Sequence, residues 1–146
     1  MSSIHLIKLV VGVEDLKGFK RIQEREAFDY HGQVAVPCWT RYKPKCADEI
    51  LEKGGSIYRV IKNRIQCRHK ILGFEMVETD HKGTMCMIVQ DAQMIEVVQT
   101  PRRAFQGWRY LKIDDVPADK GIYVDDGEDE VIPDDLAHEL KEAGIL

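Results

Sequence analysis

The stretch Thr100–Leu111, TPRRAFQGWRYL, sets three arginines and three aromatic rings within twelve residues, punctuated by a proline and a glycine. Guanidinium groups bring charge and paired N–H donors to a phosphate, and flat rings offer faces on which unstacked bases settle. The same composition also makes an amphipathic strand whose arginines lie along its surface. What positions the residues decides between the two. Read as a strand over Gly107–Lys112, alternation sends Trp108 and Tyr110 to one face and Arg109 and Leu111 to the other. Arg102 and Arg103 follow Pro101 on a loop near the strand ends, where recognition residues concentrate.

A second basic run, RIQCRHKIL, alternates in the same way. Ile65, Cys67, His69 and Ile71 fall on one face, and Arg64, Gln66, Arg68 and Lys70 fall on the other. If this strand neighbours the first motif, the sheet carries a basic stripe with rings beside it. Arg64, Arg68, Lys70, Arg102, Arg103, Trp108 and Arg109 are therefore the expected contacts for RNA or a nucleotide-containing ligand.

Other chemistries are weaker. Cys67 and His69 share a strand face, Cys86 lies on a candidate partner strand, and His31, Cys38 and Cys46 lie in a loop region, but no close ligand pair announces a zinc site. No metal and no cofactor is expected. There is no G-x-S-x-G, no H-E-x-x-H and no glycine-rich phosphate loop. A diffuse acid/base set of Thr40, Lys43, Lys45 and Glu75 keeps open an alternative, a small hydrolase acting on a modified nucleoside. No residue is assigned a catalytic role, and the reading leans away from an enzyme.

The elements that must hold these residues follow from the pattern. The 146 residues, 44% hydrophobic, suffice for one domain over 1–146 and leave no room for two ordinary ones. The net charge of −4 conceals +6 over residues 1–112 and −10 over 113–146. A basic body suits a polyanion. The acidic stretch 113–132 reads as a mobile loop, and its Asp125–Glu130 part offers a third reading, a protein-interaction arm.

His5–Val13 reads as a buried strand, with neither the basic leader nor the length of a targeting or membrane segment, so a cytoplasmic protein without membrane contact is expected. Four cysteines without C-x-x-C spacing suit buried thiols in a reducing compartment. Asp15 caps a helix over LKGFKRIQEREAF, with Leu16, Phe19 and Ile22 on one stripe that Gln23 and Ala27 extend. Tyr30–Pro44 reads as a ligand-facing loop with a short extended piece at Val34–Val36, and Cys46–Lys53 as a short helix stopped at Gly54-Gly55. Strands follow over Ser56–Lys62, Arg64–Glu78, Thr84–Gln90, Met94–Thr100 and Gly107–Lys112, and Pro133 with Asp134 opens a terminal helix. The fold class is α+β, a curled and mostly antiparallel sheet or small pseudo-barrel with flanking helices.

Over HLIKLVVGV, ADEILEKGGSIYRVIKNRIQCRHKIL and PRRAFQGWRYLK the chain resembles a bacterial family known only as a domain of unknown function, with PRRAFQGWRYLK the most specific part. That resemblance implies no activity. The passage from the helix ending at Gly54-Gly55 into SIYRVIK looks like that of PUA-like domains, including the ASCH and EVE groups. The likeness implies a pseudo-barrel that binds RNA or modified bases, and a few ASCH members hydrolyse modified nucleosides. This chain has Gly-Gly-Ser where many such domains have Gly-Asp, so no catalytic residue is carried over.

Overall fold

A computed structural model describes residues 4–124. Strand β1 (Ile4–Leu9) leads to helix α1 (Leu16–Glu26). The Asp15 carboxylate accepts from the Gly18 amide at 2.9 Å, satisfying a donor the first turn leaves open. Leu16, Phe19 and Gln23 are the residues that helix buries.

A hairpin of β2 (Phe28–Tyr30) and β3 (Gln33–Thr40) follows. The expected loop over Tyr30–Pro44 is thus largely strand. His31 and Gly32, both at positive φ, make a tight two-residue turn. The short extended piece expected at Val34–Val36 runs on through Pro37 and Cys38 to Thr40, because β6 pairs with Ala35–Thr40.

Helix α2 (Ala47–Glu52) is stopped just before Gly54, where φ is +72°. At Gly55 a Cβ would stand 2.6 Å from the Ile4 carbonyl oxygen and 2.8 Å from Ile50, so only glycine lets the helix turn this closely against β1. Strands β4 (Ser56–Ile61) and β5 (Arg64–Thr79) are joined through Lys62 and Asn63, both at positive φ. Then come β6 (Gly83–Asp91), β7 (Ile95–Pro101), β8 (Trp108–Lys112), a 3₁₀ turn (Ile113–Asp115) and β9 (Asp119–Ile122).

The strands form one mixed sheet in the order β2-β3-β6-β5-β4-β1-β8, with β7 also on β5 and β9 on β7. Among the described residues only β1 and β4 pair in parallel. The fold is α+β with an open sheet whose strands do not close into a barrel. It curls nonetheless: Leu6 of β1 and Cys38 of β3, with three strands between them in that order, share one cluster with Ile50, Ile57, Ile71, Cys86 and Ile88.

The long strand β5 makes the curl possible by changing partners. Its first half pairs with β4 and β7 and its second with β6. At Gly73, beside the register shift, a Cβ would collide with the Tyr30 ring. A second cluster, under α1, gathers Leu16, Phe19, Ile61, Cys67 and Met94 on the same concave face. The convex face carries Ile7, Tyr58, Val60, Ile65, Val97 and Leu111, with Phe105 and Val116 laid against them.

Two expectations change here. A bulge makes Cys67 pair with Arg59 but Ile65 with Val60, so Ile65 and Cys67 belong to clusters on opposite faces and strict alternation fails at Gln66. The extra residue is held by its own side chain, whose Nε2 donates to the Ile61 carbonyl at 2.8 Å. The first part of the acidic 113–132 stretch, expected as a mobile loop, includes the 3₁₀ turn and β9, because β7 offers an edge that Asp119–Ile122 completes. The terminal helix and the acidic Asp125–Glu130 stretch lie outside the described residues. Among the described residues no helix is long and apolar enough to cross a membrane.

Candidate functional site

Strand register sets the convex face. Arg68 stands opposite Tyr58, Tyr58 beside Ile7, and Ile7 opposite Arg109, so one cross-strand row carries a cation at each end. Three strand spacings separate those ends, about 14 Å. In the adjacent row Lys70 stands opposite Ser56, and His5 opposite Leu111.

At one end lies a cleft of about 290 Å³ lined by His5, Ser56, Tyr58, Arg68, Ile113, Val116, Pro117 and Asp119 among others. Arg68 is committed there. Its Nε and Nη2 donate to the Asp119 carboxylate at 2.9 and 2.8 Å, and its Nη1 donates to the Ser56 hydroxyl at 2.7 Å. That clamp holds the Asp119 carboxyl below its ordinary range. The Ser56 amide donates to His5 Nδ1 at 3.0 Å, which leaves the ring proton on Nε2, buried and without a partner among the described residues. Burial, and then the Arg68 charge, lower the His5 pKa, so the ring is neutral.

At the other end the arginines have no carboxylate partner among the described residues. The guanidinium of Arg109 lies 4.7 Å from the Phe105 ring centroid and that of Arg102 lies 5.5 Å from it. Among the described residues neither of them, nor the exposed Arg103, takes part in an ion pair. Arg102 is placed by its own amide, which donates to the Asn63 carbonyl at 2.8 Å and ties the loop to the β4–β5 turn.

The seven expected contact residues do not form one patch. Arg68, Lys70, Arg102, Arg103 and Arg109 belong to the convex side or its rim. Arg64 pairs with Ile61, whose side chain lies in the cluster under α1, and its Nη1 donates to Gln99 at 3.2 Å. The bulge at Gln66 separates it from Arg68. Trp108 faces the concave cluster, edge to face with Tyr110 at 5.0 Å, as alternation within β8 requires. The ring that the arginines use is Phe105.

The acid/base set is not assembled. Thr40 and Met76 both pair with Cys86, whereas Glu75 pairs with the next residue, Met87, which puts Thr40 and Glu75 on opposite faces. The Glu75 carboxylate is taken by the Tyr30 hydroxyl at 2.7 Å. The cysteines are also apart. Cys67 lies under α1 with its thiol pushed up to about 12 by burial, and Cys38 and Cys86 lie in the other concave cluster. Among the described residues no three metal-ligating side chains gather.

The concave face holds residues the sequence reading did not single out. A crevice of about 250 Å³ opens between α1 and the sheet, lined by Lys8, Phe19, Gln23, Glu26, Trp39 and Arg59 among others. Arg59 is 6% exposed. Its Nε donates to the Lys8 carbonyl at 3.3 Å and its Nη1 to Gln90 Oε1 at 3.4 Å, and the group stands 5.1 Å from the Phe19 centroid. The signal was present in SIYRVIK, where a lone arginine sits at the position alternation gives to Ile57 and Ile61. Deeper in, His69 is fully buried. Its Nδ1 donates to the Asp91 carbonyl at 2.8 Å, its Nε2 has no partner among the described residues, and burial lowers its pKa to about 4.

The described residues form an α+β fold, an open mixed sheet with two helices and with cations on both of its faces. The chain belongs to the family described as protein of unknown function DUF1489, whose model matches residues 6–146. No curated protein and no solved structure matches it.

Proposed function

We propose that this protein binds RNA or a nucleotide-containing ligand on the convex face, with Arg102, Arg103 and Arg109 as phosphate contacts and Phe105 as the ring beside them. One observation carries the reading: two guanidinium groups share the Phe105 ring and have no carboxylate partner among the described residues. A cation held over a ring keeps its N–H edge outward, where a phosphate oxygen can accept from it. Lys70 extends the charge along the same face. Arg68, already clamped by Asp119, organises the cleft rather than offering an unpaired cation.

The reading includes a PUA-like arrangement, in which the turn from α2 into β4 leads to the ligand side, and a cytoplasmic location. PRRAFQGWRYLK is its signature, because that segment supplies all three arginines and Phe105. The test is titration of a fluorescent single-stranded RNA at several salt concentrations. Three phosphate contacts predict that log K falls by about 2 per tenfold rise in salt. Binding that ignores salt, or no binding at low salt, would refute the proposal.

A further inference from the structure

We infer that the crevice under α1 is a second, separate binding site, for a small molecule that carries a carboxylate or phosphate next to a hydrogen-bond donor. Lys8 and Arg59 are direct neighbours across β1 and β4 and both line this crevice. Two like charges side by side on a sheet repel each other, and an arginine this deeply buried carries a desolvation cost that two long hydrogen bonds and the Phe19 ring offset only in part. Among the described residues no ion pair involves Lys8 or Arg59, and Glu26, exposed and lining the same crevice, pairs with neither.

Gln23 is the independent observation. It is 3% exposed, lines the crevice from α1, and both its Oε1 and its Nε2 are buried without a partner among the described residues. Native proteins leave few such amides empty, since a buried donor or acceptor without a partner forfeits the hydrogen bonds water gave it. An oxyanion seated against Arg59 and Lys8 accepts from both cations, and the Gln23 amide has both N–H donors and its carbonyl oxygen left for the rest of the ligand. The acceptors on α1, Gln23 Oε1 and the Glu26 carboxylate, suit a neighbouring N–H or ammonium group. Trp39, 43% exposed, adds an aromatic wall. The volume, near the lower limit for small-molecule pockets, fits a metabolite and not a polymer.

The site stands on other residues than the RNA reading and falls or survives separately from it. Thermal unfolding and calorimetry with inorganic phosphate, succinate and glutamate test it. The wild type is expected to show a saturable rise in Tm with at least one of the three. Phosphate alone would point to a phosphorylated ligand, and glutamate over succinate to an amino-acid-like one. Arg59→Met, which removes the charge and keeps an apolar chain of similar length, is expected to fold and to lose the rise. Gln23→Leu is expected to fold at least as stably as the wild type and to bind about tenfold more weakly. No saturable shift with any of the three, or equal shifts in wild type and Gln23→Leu, would overturn the inference.

Discussion

Arg68 and Arg59 stand one strand apart near the middle of the sheet and meet opposite fates. Arg68, on the convex face, has a carboxylate on two nitrogens and a hydroxyl on the third. Arg59, on the concave face, is more deeply buried and has only a carbonyl, an amide oxygen and a ring. A cation on the surface would be thought the functional one, but here the surface cation is neutralised internally and, among the described residues, the buried one is not. Availability follows from partners, not from exposure. The same rule separates Arg102 and Arg109, stacked on Phe105 without a carboxylate among the described residues, from Arg68 in the next cleft.

The largest expected effect comes from the sealed side. His69 takes up its proton near pH 4 in the native state and near 6.5 in the unfolded chain, where nothing buries it. As pH falls through that window the unfolded state gains a proton the native state refuses, so stability declines by up to ~3 kcal/mol and levels off below about pH 4. Lowered by burial and by Arg68, His5 adds a smaller decline of the same sign. Urea midpoints across this range should show the loss, and His69→Gln should flatten most of it. A flat wild-type profile would mean the concave interior is open to water.

Next is a difference in sign between the two arginine sites. Asp119→Asn leaves Arg68 without its carboxylate, and because the pair is partly exposed the expected loss is ~1 kcal/mol. Arg59→Met removes a buried cation with no carboxylate partner among the described residues, and stability should stay level or rise by up to ~1 kcal/mol. Chemical denaturation of both variants decides it, and a large loss in Arg59→Met would show that the guanidinium is structural. The smallest effect belongs to the convex rim, where Arg102→Ala with Arg109→Ala should change stability by no more than ~0.5 kcal/mol.

Local chemistry made much of this legible. The Asp15 cap, the Gly54-Gly55 stop and most strands of the second half were readable because one or two neighbours decide them. Alternation in β8 correctly separated Trp108 from Arg109. It failed in β5, where a bulge depends on how β4 and β7 pair and leaves no mark in RIQCRHKIL. The β2–β3 hairpin was hidden by Pro37, which lies in a strand whose long pairing with β6 tolerates it. Arg59 and Gln23 each looked like one polar residue in an apolar stripe. Only the curl of the sheet, which brings β1, β3 and β4 around α1, turns them into one crevice.

Binding of a single-stranded RNA to the wild type, to Arg102→Ala/Arg109→Ala and to Arg64→Ala, side by side at low salt, tests the convex face most directly. The double variant should bind about tenfold or more weakly, and Arg64→Ala, on the other side of the bulge, should bind within about twofold of the wild type. Equal binding by the wild type and the double variant, or a larger loss in Arg64→Ala, would contradict the account.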